Sequence, residues 1–115
     1  MSKTSHKDFA YIVSILDSIE KILDYTSGFN NADEFFEDIK SFDATMMNFV
    51  VIGEMADKLS GEIKAQTSGK VDWQRVVGFR NIIAHNYFGI DAEEVWQIIQ
   101  NRLGGLKEVL KDYVD

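Results

Sequence analysis

Apolar side chains recur at three- and four-residue spacing along almost the whole chain, and no proline interrupts them. That period matches the turn of an α-helix, which gathers such residues on one face, whereas a half-buried strand needs strict alternation. The chain is therefore expected to be all-α, with four to five helices. Its 115 residues are enough to close one hydrophobic core, so residues 1–115 are read as a single domain. A hydrophobic share of 45% sets it apart from the low-hydrophobicity composition of disordered segments.

The first helix is predicted from about Asp8 to Tyr25, with Phe9, Ile12, Ile15, Leu16, Ile19, Ile22 and Leu23 on its buried face, Ser5 and Asp8 as a capping box, and Gly28 as a stop. A short second helix runs from Ala32 to about Lys40, started by Asn31 and Glu34, with Phe35, Phe36 and Ile39 sealing one end of the core. The third begins near Ala44, capped by Asp43, with Met46, Phe49, Val50, Gly53, Ala56, Leu59 and Ile63 as its stripe. Glycine inside a helix costs about 1 kcal/mol relative to alanine, so Gly53 implies a close helix crossing. Gln66 to Lys70 reads as a loop, and Asp72 as the cap of a fourth helix from Trp73. The fifth follows Gly89, with Asp91 and Glu94 at its start, Val95, Trp96, Ile98, Ile99, Leu103 and Leu106 buried, and a kink or break expected near Leu103 because Gly104 and Gly105 follow. Trp73 and Trp96 are read as core or interface anchors.

Cysteine is absent, which excludes disulfides and thiolate metal sites. With no thiolate and with His6 and His85 as the only imidazoles, a transition-metal site lacks ligands, and neither metal nor cofactor is expected. The polar start from Met1 to Lys7 has no apolar signal block, and no apolar run approaches the length of a bilayer span, so no membrane is expected and a cytoplasmic location is the default. Ser68-Gly69-Lys70 lacks the spacing of a phosphate-binding loop and reads as a turn.

The net charge of −7 argues against a nucleic-acid partner, but its distribution does not. Residues 1–63 hold five Lys against twelve Asp or Glu, while residues 64–115 balance seven against seven. Lys64, Lys70, Arg75 and Arg80, opposed by Asp72 alone, offer either a locally positive patch or a set of separately solvated charges. The acids Asp33, Glu34, Glu37 and Asp38 read as a solvated face or as a surface for a basic partner.

Arg80, Asn81, His85 and Tyr87 stand within eight residues. RNA is cut without a metal when its own 2′-hydroxyl attacks the adjacent phosphorus, which requires a proton acceptor, a proton donor and fixed positive charge. Histidine titrates near neutrality and serves as acid or base, while arginine grips phosphate oxygens with two prongs. His85 and Arg80 divide those duties, and Asn81 orients a phosphate oxygen or a ribose hydroxyl. Five helical steps put Arg80 and His85 about 140° apart around an axis and about 7.5 Å apart along it. Either the helix ends before His85, or a symmetry-related copy completes the site. Gly78, one turn earlier, either admits another backbone or a substrate or packs tightly on the third helix. An arginine and histidine at this spacing are weak as a signal alone, and the added tyrosine makes chance far less adequate; the alternative on the residues alone is that His85 and Tyr87 cap a helix and Arg80 makes a surface salt bridge.

The run from Trp73 to Asp91, followed by Glu94-Val95-Trp96, resembles the HepT-like branch of the HEPN superfamily, and Val51-Ile52-Gly53-Glu54-Met55-Ala56 is similar to that family's third helix. The resemblance implies an antiparallel helical bundle of four to five helices that dimerises through its motif-bearing helices, with a metal-independent ribonuclease site between protomers. It implies Arg80 and His85 as the catalytic pair, Asn81 as the supporting polar residue and Tyr87 as a modification site. Such proteins are toxins of type VII-like toxin–antitoxin pairs, and the partner implied is an MntA-like minimal nucleotidyltransferase that adenylylates the tyrosine. Two other readings stand beside it: a non-catalytic module that docks on, or presents substrate to, a nucleotidyltransferase, and a plain helical dimerisation domain.

Overall fold

In a computed structural model, residues 4–115 are described; the expectation about the polar start from Met1 to Lys3 lies outside them. Among the described residues the chain is helical throughout: α1 (His6–Thr26), α2 (Ala32–Glu37), α3 (Ile39–Lys58), α4 (Gly61–Thr67), α5 (Trp73–His85), a 3-10 turn (Tyr87–Gly89), α6 (Ala92–Asn101) and α7 (Leu103–Lys111). No helix is long and apolar enough to cross a membrane.

The core forms where the periodic residues meet. Ile12, Ile15, Ile19 and Ile22 of α1 are completely buried, with Phe42, Met46, Phe49, Ile52 and Ala56 of α3 among the other buried residues. The long helices run antiparallel. Asp8, in the first turn of α1, accepts the N–H of Ser60 just beyond the end of α3 at 3.0 Å. At the other side of α1, Lys107 of α7 pairs with Glu20, and Thr4 donates to the carbonyl of Tyr113 at 3.2 Å. The buried position expected of Phe9 goes to Asp8, whose carboxylate is satisfied by that backbone contact, and Phe9 is left 46% exposed.

Capping explains most boundaries. Ser5, Asn31 and Asp72 accept N–H groups three residues ahead, as predicted. The third helix is a correction. Its cap is Asp38, which accepts from Ser41 at 3.1 Å, so Asp43 lies inside the helix and caps nothing. Restarting at Ile39 turns that residue outward. Of the three side chains expected to seal the core, only Phe35 does so, packed on Phe42 and Trp96 with ring centres 5.1 and 5.8 Å away. Phe36 and Ile39 are exposed.

Two breaks raise the helix count above four or five. After Lys58 the backbone turns extended at Leu59, and Ser60 caps α4 by accepting the N–H of Ile63. Ala56, Leu59 and Ile63 all stay buried, so the apolar period passes through the break unchanged. The second break, at Arg102, is the one expected near Leu103. Trp73 and Trp96 are both buried core residues.

Candidate active site

Helix α5 is anchored before it reaches the motif. Trp73 is buried and its indole N–H donates to Thr67 at 2.8 Å. Phe79 meets Phe49 of α3 edge-on with ring centres 5.1 Å apart, and Ile83 is buried one turn later. These contacts leave Arg80 facing α3. There it lies against Gly53, where an added Cβ would stand 2.4 Å from the Cβ of Arg80. The close crossing inferred from Gly53 is thus the contact that seats the arginine.

The Arg80 side chain is only 17% exposed. Its Nη1 donates to Glu54 Oε1 at 3.0 Å and lies 3.7 Å from Asp57 Oδ2. Its Nε donates to Asn81 Oδ1 at 3.1 Å. The carbonyl oxygen of Asn81 therefore holds the arginine, a use not foreseen when it was assigned to phosphate or ribose. Of the two readings of these cations, the contacts favour separately held charges over a positive patch. Arg80 is matched by two acids, Arg75 lies near Asp72 at 3.9 Å, and Lys64 donates to the carbonyl of Asp57.

His85 is the last residue of α5 and is exposed. The helix therefore contains both Arg80 and His85 and does not end between them, leaving the pair on different faces of one rod. Asn86 breaks the helix with φ −147° and ψ 50°, and Gly89 accepts the crowding of the Asn86 side chain, which an added Cβ would meet at 2.5 Å. The 3-10 turn between them presents Tyr87 and Phe88. Tyr87 is partly buried, its ring edge-on to Phe42 and Phe88, and its hydroxyl donates to Asp43 of α3. Burial first, then that hydrogen bond and the charge of Asp43, push the phenol up to about 12. Phe88 is fully exposed. Gly78 has nothing within 4 Å of an added Cβ, which removes tight packing on α3 as its explanation.

Asp43, Glu54 and Asp57 are the site residues that sequence reasoning missed. They fall within about 60° of one another around α3 by helical geometry. Asp43 meets Tyr87 and Glu54 meets Arg80, so one acidic edge of α3, running antiparallel to α5, holds both ends of the motif. An acidic repeat in phase with the helix was the available signal, but nothing local pointed it at residues 80–87.

The site is open. A shallow hollow of about 370 Å³ lies among Leu23, Thr26, Phe29, Ile99 and Gly104, and another, of about 160 Å³, among Ser5, Asp8, Ser60 and Tyr113. Neither contains a motif residue.

The family described as Ribonuclease HepT-like matches residues 15–113. A candidate RNase of Methanocaldococcus jannaschii is 30% identical over 90% of this chain and 87% of its own length. A second from that organism is 30% identical over 94% and 95%. A candidate ribonuclease HepT of Thermococcus cleftensis is 29% identical over 91% and 92%. No solved structure matches the chain.

Proposed function

The chain belongs to the ribonuclease HepT-like family, and from that premise we propose a specific activity: metal-independent cleavage of RNA by a homodimer. In this reading the protein is the toxin of a toxin–antitoxin pair, acts in the cytoplasm, and is silenced when a cognate nucleotidyltransferase adenylylates Tyr87. The observation that carries it is the arginine seat. A guanidinium anchored by Glu54 and Asn81 stands on the same helix as an exposed histidine.

The 2′-oxygen attacks phosphorus as its proton passes to a base, and the 5′-oxygen leaves as it receives a proton from an acid. The products are a 2′,3′-cyclic phosphate and a 5′-hydroxyl. His85 supplies one of these proton transfers, and His85 of a second copy supplies the other. Arg80 stabilises the charge gathering on the phosphate oxygens. Two copies are favoured because Arg80 and His85 face differently on α5, and because α3, α5 and the 3-10 turn leave Ile39, Met47, Ile82 and Phe88 exposed.

At neutral pH the Tyr87 phenol keeps its proton, since its pKa is pushed up to about 12. Adenylylation would form an O–P bond at that oxygen, release pyrophosphate and pass the proton to a base. The adduct adds negative charge and bulk at the other end of the motif from Arg80, and both oppose an RNA strand lying along it.

The test is cleavage of a defined RNA by purified protein in excess chelator. His85→Ala and Arg80→Ala are each expected to lose about a hundredfold or more in rate. Cleavage that appears only on adding a divalent cation would remove the metal-independent mechanism. After incubation with the partner and ATP, mass spectrometry should find adenylate on Tyr87, and Tyr87→Phe should cut RNA yet escape silencing. The pairing of Arg80 with two acids also suits a non-catalytic docking module; there, Arg80→Ala weakens the complex with the nucleotidyltransferase and no RNA is cut.

A further inference from the structure

We propose that Glu54 is a positioning residue for Arg80, fixing the guanidinium before substrate arrives; this rests on the ribonuclease reading above. Three contacts define the seat. The stem of Arg80 lies against Gly53, Nε is bonded to Asn81, and Nη1 is bonded to Glu54. Asp57 stands farther off, at 3.7 Å. Among the described residues Nη2 has no hydrogen-bond partner, so it is the nitrogen left to meet a phosphate oxygen.

An unrestrained arginine loses much rotamer freedom when it grips a substrate, and a planar fork held in advance loses less. That saving falls on the chemical step when the contact tightens with the charge on phosphorus. Stability is a poor reason for the pair. Glu54 is 49% exposed while the Arg80 side chain is 17% exposed, so the contact is half open to water and its Coulomb gain is screened on the Glu54 side. Bulk electrostatics is also a poor reason, because two carboxylates beside one arginine leave net negative charge where an anion must bind. The position of the carboxylate, and not its charge, is what remains to serve the reaction.

The experiment measures kcat and KM of the full chain on a defined RNA for wild type, Glu54→Ala, Glu54→Gln, Glu54→Asp and His85→Ala. Glu54→Ala is expected to lower kcat about tenfold with KM within about threefold, since a positioning contact acts on the transition state. Glu54→Gln, whose amide oxygen still accepts from Nη1, should stay within about threefold of wild type, whereas Glu54→Asp, which keeps the charge but retracts it, should resemble the alanine variant. Glu54→Ala cutting at the wild-type rate or faster overturns the proposal, as does Glu54→Gln falling to the alanine level. Should the alanine variant lose its helical circular dichroism, Glu54→Asp decides alone, and a wild-type kcat for it overturns the proposal. A wild type that cuts no better than His85→Ala overturns the ribonuclease reading and this proposal together.

Discussion

A methyl group at Gly53 would stand 2.4 Å from the Cβ of Arg80 and 3.4 Å from the carbonyl oxygen of Val76. Alanine gains about 1 kcal/mol of helix propensity over glycine. Overpacking costs about 1–3 kcal/mol, and here the obstructing atom is a Cβ fixed to its own helix, so the clash outweighs the gain. Gly53→Ala is therefore expected to lower the urea midpoint and, by forcing α5 off α3, to slow RNA cleavage. A variant as stable and as active as wild type would show that the crossing has slack. Gly53 was legible in the sequence because a glycine inside an apolar stripe asks for an explanation. Asp43, Glu54 and Asp57 were not, because Asp43 finds its partner 44 residues away and Glu54 finds its partner 26 away. Asp43 was misread as a cap because an acid ahead of a helical pattern has the same local appearance whether it starts the helix or sits in its second turn.

The 3-10 turn is tied to α3 by the Tyr87 hydroxyl on Asp43 and the Tyr87 ring on Phe42, and the polar tie carries a pH signature. Tyr87 has its pKa raised to about 12 from an ordinary value near 10. The folded state thus favours the protonated phenol more than the unfolded chain does. The resulting stability is fully present below about pH 10 and disappears as pH rises towards 12. Asp43→Asn removes the charge but leaves the burial, so the titration should move only part of the way back. Tyrosinate absorbance, taken as the difference from Tyr87→Phe, follows it, and an unmoved midpoint in Asp43→Asn would mean that burial alone sets the value. Among the elements, the starts of α1, α2, α5 and α6 were legible from Ser5, Asn31, Asp72 and Asp91, since capping is local chemistry. The break between α3 and α4 was not. Ala56, Leu59 and Ile63 remain buried across it, and a periodicity argument detects burial and not backbone angles.

As a whole the molecule is an elongated bundle of 45 × 28 × 23 Å, and the motif lies on its surface, outside both hollows. A chain that exposes Ile39, Met47, Ile82 and Phe88 is expected to pair through these residues, giving a species of about twice 13.1 kDa in sedimentation equilibrium. Ile82→Glu should shift the balance to monomer and reduce cleavage with it. A monomeric Ile82→Glu that cuts at full rate would mean that one chain is a complete enzyme. The all-helical class was legible at this scale because every segment shares one period. Whether the helix ends before His85 was open in the sequence, and α5 proves continuous through that residue.

The acidic edge of α3 also acts as a ruler. Asp43 and Glu54 are separated by almost a whole number of helical turns, close to three, and for that reason a single straight rod reaches both Tyr87 and Arg80. Exchanging one side chain on the rod disturbs one contact. Inserting or deleting a single residue between the two acids rotates the far one by about 100°, and a rod still in register with Tyr87 then points away from Arg80. Length between these two marks is the quantity with least freedom to drift, less than the identity of either residue.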